Sequence, residues 1–178
     1  MELGVEKISI GASALANPDL LRKISLAAGS QSVVGVLDVR RSKSLFSDSY
    51  QIFTHNGTVK RKEKLVEALT ILQDFGVGEI IVNSIDCDGK MSGFDMDLAQ
   101  RVVGNSNVPI TILGGAGSES DLVELISTCG TVGVAAGSLF VFKGKFRAVL
   151  INYPNPSRKD EIFDLARHQI RKMEKEKH

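Results

Sequence analysis

The stretch Glu79-Ile80-Ile81-Val82-Asn83, followed at once by Ser84-Ile85-Asp86-Cys87-Asp88-Gly89, decides how this chain is read. It is an apolar run too short for a helix, bounded by residues that can act on a ligand. Four more runs repeat the arrangement. Val5–Ile10 precedes Gly11-Ala12-Ser13, and Ser32–Leu37 precedes Asp38. Pro109–Leu113 precedes Gly114-Gly115-Ala116-Gly117, and Val132–Ala136 precedes Gly137-Ser138. A helix-like stretch follows each. Chemistry placed repeatedly at the carboxyl ends of parallel strands indicates a (β/α) barrel, whose active site lies on that one face.

The remaining segments fit the alternation. Asn17-Pro18 opens a helix through Ala28, with Asn17 as N-cap and Pro18 at the first helical position. Between Arg40 and Lys62 the run breaks: Tyr50–Thr54 alternates and His55-Asn56-Gly57-Thr58 carries an Asn-Gly turn, which predicts a small inserted hairpin. Helices are expected over Glu63–Phe75, Asp95–Val103 and, capped by Ser118 with Asp121 three residues on, through Cys129. A charged helical tail runs from about Ser157 and frays towards His178. Five such units suit either an open doubly wound sheet or the later part of an eight-stranded barrel. Aligning Gly4 with Gly130 brings Gly11-Ala12 onto Gly137-Ser138, an echo that favours the barrel.

At 178 residues the chain is one domain's worth, residues 1–178 forming a single partial barrel domain. A net charge of +1 gives no sign of wholesale attraction to nucleic acid or membrane. No apolar run reaches bilayer length and Met1-Glu2-Leu3-Gly4 is unlike a signal peptide, so a cytoplasmic protein is expected. Cys87 and Cys129 suit reduced thiols, and neither lies in a metal-ligand cluster. His55, His168 and His178 are scattered and read as surface residues, so no metal and no cofactor is expected.

Gly114–Gly117 follows a strand and precedes a capped helix, where free N–H groups and the dipole attract an anion; the plain alternative is a tight turn. Gly137-Ser138 strengthens the phosphate reading, because the loops after the last two barrel strands often share one phosphate site. Asp86 and Asp88, one residue apart on an extended segment, point the same way, with Gly89 permitting a sharp exit; a backbone-capping turn is the alternative. Asp38 ends a very apolar strand, which suits a general acid or base, against a salt bridge to Arg40 or Arg41.

Together these residues resemble the cyclase subunit of imidazole glycerol phosphate synthase, a (β/α)8 barrel of histidine biosynthesis. The resemblance runs from Gly4 to about Phe142 and rests on Val5–Ile10, Val36-Leu37-Asp38-Val39-Arg40, Gly78–Gly89, Gly93-Phe94-Asp95 and Gly114–Gly117. It implies a lyase/cyclase that receives ammonia from a glutaminase partner and binds a phosphorylated substrate. By motif, Asp38 corresponds to a catalytic aspartate. Asp88, Gly89, Gly115, Gly137 and Ser138 correspond to one phosphate site, and Ser84 and Asp86 to substrate-orienting neighbours. Gly11-Ala12 stands where the second phosphate site usually has Asn-Thr.

The resemblance also places the first strand at the family's fourth. The chain is therefore expected to cover about strands four to eight and to self-associate or use a partner to complete the barrel. The segment Phe142–Pro154 is more similar to paralogues of surface-polysaccharide gene clusters. That similarity implies an ammonia-conducting partner of a nucleotide-sugar amidotransferase as the alternative. A non-catalytic phosphate-binding fragment is the third.

Overall fold

The computed structural model describes residues 4–42 and 49–176. Residues 1–3, 43–48 and 177–178 lie outside the described residues, and with them part of the expected hairpin insertion and the end of the tail expected to fray.

Strand β1 (Ile8–Ile10) leads through α1 (Ala12–Ala16) and α2 (Pro18–Ala28) to β2 (Val33–Arg41). A hairpin of β3 (Tyr50–Thr54) and β4 (Val59–Lys64) precedes α3 (Leu65–Asp74) and β5 (Glu79–Ser84). Then come α4 (Met96–Gly104), β6 (Ile110–Leu113), α5 (Glu119–Cys129) and β7 (Gly133–Ala135). Short α6 (Ser138–Val141), a two-stranded ribbon of β8 (Phe142–Lys143) and β9 (Ala148–Val149), and long α7 (Pro156–Glu176) complete the order.

The parallel strands stand in the order β1-β2-β5-β6-β7, each beside its successor. That order decides between the two expected architectures. A doubly wound sheet reverses direction at its switch point, whereas here every crossover steps the same way. Right-handed crossovers in one direction put all the helices on one face, and α2, α3, α4, α5 and α7 pack side by side in sequence. The sheet is open: among the described residues β1 pairs only with β2, and β7 only with β6.

Alternation along the strands separates two faces. Leu37, Val39, Ile80, Val82, Ile110 and Ile112 are buried against the helices with Leu69, Leu72, Leu98 and Leu125. The opposite face carries half-buried Val36, Asp38, Glu79, Ile81, Asn83, Thr111 and Leu113. One edge of β2 is shared. Ile8–Ile10 pairs in parallel with Val33–Gly35, and Tyr50–Phe53 pairs antiparallel with Asp38–Arg41. This second pairing is why β2 runs on to Arg41 rather than ending at Leu37.

Several local expectations shift. β1 is shorter than Val5–Ile10 because its ladder begins at the Ile8–Val33 pair. Helix α1 is an addition, and Asn17 makes no side-chain cap, since it lies at the α1–α2 junction with its N–H on Ser13 O. The turn at His55-Asn56-Gly57 holds three successive left-handed residues, with φ 53°, 56° and 76°. No helix among the described residues is long and apolar enough to cross a membrane.

Candidate functional site

Asp38 and Asn83 are partners in the β2–β5 register, at the carboxyl ends of neighbouring strands. The Asn83 Nδ2 donates to Asp38 Oδ1 at 2.9 Å, and Asn83 Oδ1 is buried without a partner among the described residues. The expected alternative, a salt bridge from Asp38 to Arg40 or Arg41, is not what either arginine makes here. Arg40 sits 3.7 Å from Asp86 and stacks 4.6 Å from the Phe53 ring centroid. Arg41, one residue on, points to the other face. It donates to the Tyr50 hydroxyl at 2.9 Å and pairs with Asp95 and Asp97. Burial pushes the Tyr50 hydroxyl well above its usual range; Arg41 opposes the shift and the bond to Asp95 adds to it.

The loop after β5 folds back on its strand. Ser84 O accepts the N–H groups of Cys87 at 3.1 Å and Asp88 at 2.9 Å. Ser84 itself is 2% exposed, and along β5 it follows buried Ile80 and Val82 on the helix-facing side. Asp86 accepts the Arg41 N–H at 2.9 Å, so it caps the end of β2. Asp88 and Gly89 are exposed. Of the four residues in this motif, the structure therefore leaves Asp88 and Gly89 open to solvent, while Ser84 and Asp86 have other partners.

The glycine-rich loop packs on this one, backbone against backbone. Gly93 N–H donates to Gly115 O at 2.9 Å. A Cβ on Gly115 would lie 2.1 Å from Gly93 O, and one on Gly117 would lie 2.2 Å from Met91 O. Gly115 has φ +117°, a conformation that side chains rarely adopt. Asp121 Oδ2 accepts the N–H groups of Gly117 at 2.8 Å and Ser118 at 2.9 Å, as the capping pattern predicts. Two of the helix-start donors are thus engaged. Gly115 and Ala116 have no protein acceptor for their N–H among the described residues. Gly137 and Ser138 emerge alongside, because Leu113 and Ala135 are register partners on β6 and β7.

Asp38 and Gly11 meet beneath the hairpin. They line one cavity of about 250 Å³ with Ala12, Thr54, His55 and Asn56. Sequence reasoning gave the hairpin no place in the site. The signal was present in the alternation of Tyr50–Thr54, which puts Phe53 and then the turn on the Asp38 side. At the opposite end of the same sheet face, Lys7 pairs with Glu79, which also accepts from Thr111 Oγ1 at 2.8 Å. Burial pushes the Glu79 carboxyl up, but these two bonds outweigh it and hold it below the usual carboxylate range. Among the described residues no three His, Cys, Asp or Glu side chains cluster as metal ligands.

Loops gathered at the carboxyl ends of consecutively ordered parallel strands are the arrangement of a (β/α)-type fold. The chain belongs to the family described as histidine biosynthesis protein, whose model matches residues 1–147 and whose fold is a (β/α)8 barrel. Within it the chain is a homologue of the cyclase subunit of imidazole glycerol phosphate synthase. It is 44% identical over 165 residues to a protein of Vibrio vulnificus, covering 93% of this chain and 63% of that one. A protein of Leptospira interrogans is 45% identical over 163 residues, with 92% and 63% covered. Both carry the name imidazole glycerol phosphate synthase subunit provisionally. The imidazole glycerol phosphate synthase subunit HisF of Dictyoglomus turgidum is 35% identical over 142 residues, with 80% and 55% covered. The chain spans about 63% of the length of the first two relatives.

Proposed function

We propose that this chain acts as the cyclase side of an ammonia-using synthase of the imidazole glycerol phosphate synthase type. A phosphate of the substrate lies over Asp88-Gly89, Gly115 and Gly137-Ser138, and Asp38 moves protons at the reacting centre. The observation that carries this reading is the Asp38–Asn83 pair, at 2.9 Å, beside two loops packed backbone to backbone on the next strands. The unengaged N–H groups of Gly115 and Ala116 supply donors for an anion. Asp88 contributes through its loop backbone or a substrate hydroxyl, since its charge repels phosphate. Ammonia from a glutaminase partner would travel along the Asp38 face from the amino end, passing Lys7 and Glu79.

The test is titration of the chain with imidazole glycerol phosphate, followed by amide NMR. The resonances of Gly89, Gly115 and Gly137 should move together, and those of Gly11 and Ala12 much less. Movement confined to Gly11 and Ala12 would overturn the assignment.

A second reading is supported by the other end of the site. A Cβ on Gly11 would meet nothing within 4 Å, so the Gly11-Ala12 wall is open and without polar side chains. That suits an ammonia-conducting partner of a nucleotide-sugar amidotransferase, which needs no tight second phosphate grip. Co-purification with a glutaminase and a sugar amidotransferase would favour this reading. Assembly with a glutaminase that yields ammonia-dependent cyclisation would favour the first.

A further inference from the structure

The cavity under the hairpin brings an imidazole to the site that neither the motifs nor the family resemblance assigned. We propose that His55 contacts the ligand from across Asp38, and that the two form a paired-acceptor subsite for a hydroxyl or amino group. This rests on the reading of Asp38 and the phosphate loops given above.

Asp38 is the register partner of Phe53, and His55 lies two residues further along the same strand direction. Both residues line the same cavity of about 250 Å³, which the exposed His55 borders from the turn. The backbone of His55 is left-handed, at φ 53°, where few residues other than glycine settle. Two bonds from Thr58 to His55 O hold it there, from the hydroxyl at 2.6 Å and the N–H at 3.3 Å.

In the proposed tautomer Thr54 Oγ1 gives its proton to Val59 O at 3.4 Å and accepts from His55 Nδ1 at 3.1 Å. The ring then carries its proton on Nδ1 and a lone pair on Nε2. Asp38 Oδ1 receives Asn83, which leaves Oδ2 as the facing acceptor. Two acceptors repel a phosphate oxygen and bind an O–H or N–H. The surrounding charges are committed or lie to the side: Arg40 is held by Asp86 and Phe53, and Lys60 lies opposite Phe53 on β4. Leu15, Val36 and Ile52 supply an apolar remainder.

The test uses the full chain labelled with ¹⁵N-histidine, whose three histidines are separable, and imidazole glycerol phosphate as probe. In the free protein His55 should show the Nδ1–H tautomer. The probe should shift its Nε2 resonance and leave that of His168, on α7, unchanged. His55→Asn tolerates the left-handed backbone but lacks the Nε2 acceptor. It should weaken probe binding roughly tenfold, the loss of one hydrogen bond. An Nε2–H tautomer would overturn the inference. So would a probe that shifts the Gly115 and Gly137 amides yet leaves His55 Nε2 unmoved, with the phosphate reading intact. A probe that moves none of them would overturn both.

Discussion

Gly115→Ala is the sharpest perturbation of the site, because its cost can be worked from the backbone alone. Position 115 combines φ +117° with a Cβ that would fall 2.1 Å from Gly93 O. Forcing an L side chain into that conformation costs about 1–2 kcal/mol. Relieving the overlap means pushing the 84–93 loop away, which adds about 1–3 kcal/mol by analogy with overpacked cores. A total of about 3 kcal/mol lowers the Tm of a domain this size by roughly 6–12 °C. Two controls separate the contributions. Gly89 has φ +72° but open space around its Cβ, so Gly89→Ala should cost only about 1 kcal/mol. Gly137 has φ −102° and open space, so Gly137→Ala should be neutral or slightly stabilising. Urea unfolding followed by circular dichroism gives the order directly. If Gly115→Ala proves no more destabilising than Gly89→Ala, the two loops are not held by backbone contact, and the account of the site fails.

Other outcomes follow from single contacts. Asp121→Ala removes the acceptor of the Gly117 and Ser118 N–H groups; it should cost about 1 kcal/mol of stability while raising affinity for inorganic phosphate several-fold. Calorimetry showing unchanged or weaker phosphate binding would contradict that. Glu63 is buried, which pushes its carboxyl up, but Arg61, a backbone hydrogen bond and Lys62 together bring it below the usual range. Arg61→Ala leaves that charge unpaired and also drops a 3.1 Å bond to Leu15 O; a loss of about 2–3 kcal/mol in urea is expected, and one below about 0.5 kcal/mol would refute it. Glu79 has a folded value below its unfolded one. Its contribution is therefore full above the ordinary glutamate value of about 4.3 and is lost as pH falls through the lowered value. Glu79→Gln should flatten this acid limb of stability against pH, and an unchanged limb would show that the Lys7 pair contributes nothing.

What could be read from residues alone divides along physical lines. The parallel strands and the α5 cap were legible because period, capping chemistry and glycine placement are local properties. Consecutive strand order was not, since five βα units are compatible with either winding until register is known. Helix α1 escaped notice because Ala12–Ala16 has no side-chain cap, and it is held against α2, α3 and β2, packing that no local pattern announces. Within the site, Asp86 was legible as a carboxylate at a strand end, but its bond to the Arg41 N–H joins residues 45 apart. Asn83 attracted no role because its polarity matters only opposite Asp38. Tyr50 was passed over, and Arg41 was weighed only as a partner for Asp38, for the same reason: their partners arrive from the α4 start.

The divided edge of β2 has a consequence for how specificity is built. β1 ends its pairing at Gly35 and β3 begins at Asp38, so Val36 and Leu37 have no strand partner on that side. Both line the cavity under the hairpin. The cavity is therefore a notch in the hydrogen-bonded ladder, two residues wide, rather than a hollow between side chains. Its width is quantised. Strand pairs slip in steps that keep side chains on their own face, and the smallest such step is two residues. A two-residue slip of the hairpin towards β1 would close the notch, while one in the other direction would double it. Under the reading proposed above, what fits at this end follows the hairpin register: insertions or deletions in the His55-Asn56-Gly57 turn should change it in discrete jumps, where point substitutions on the walls adjust it gradually.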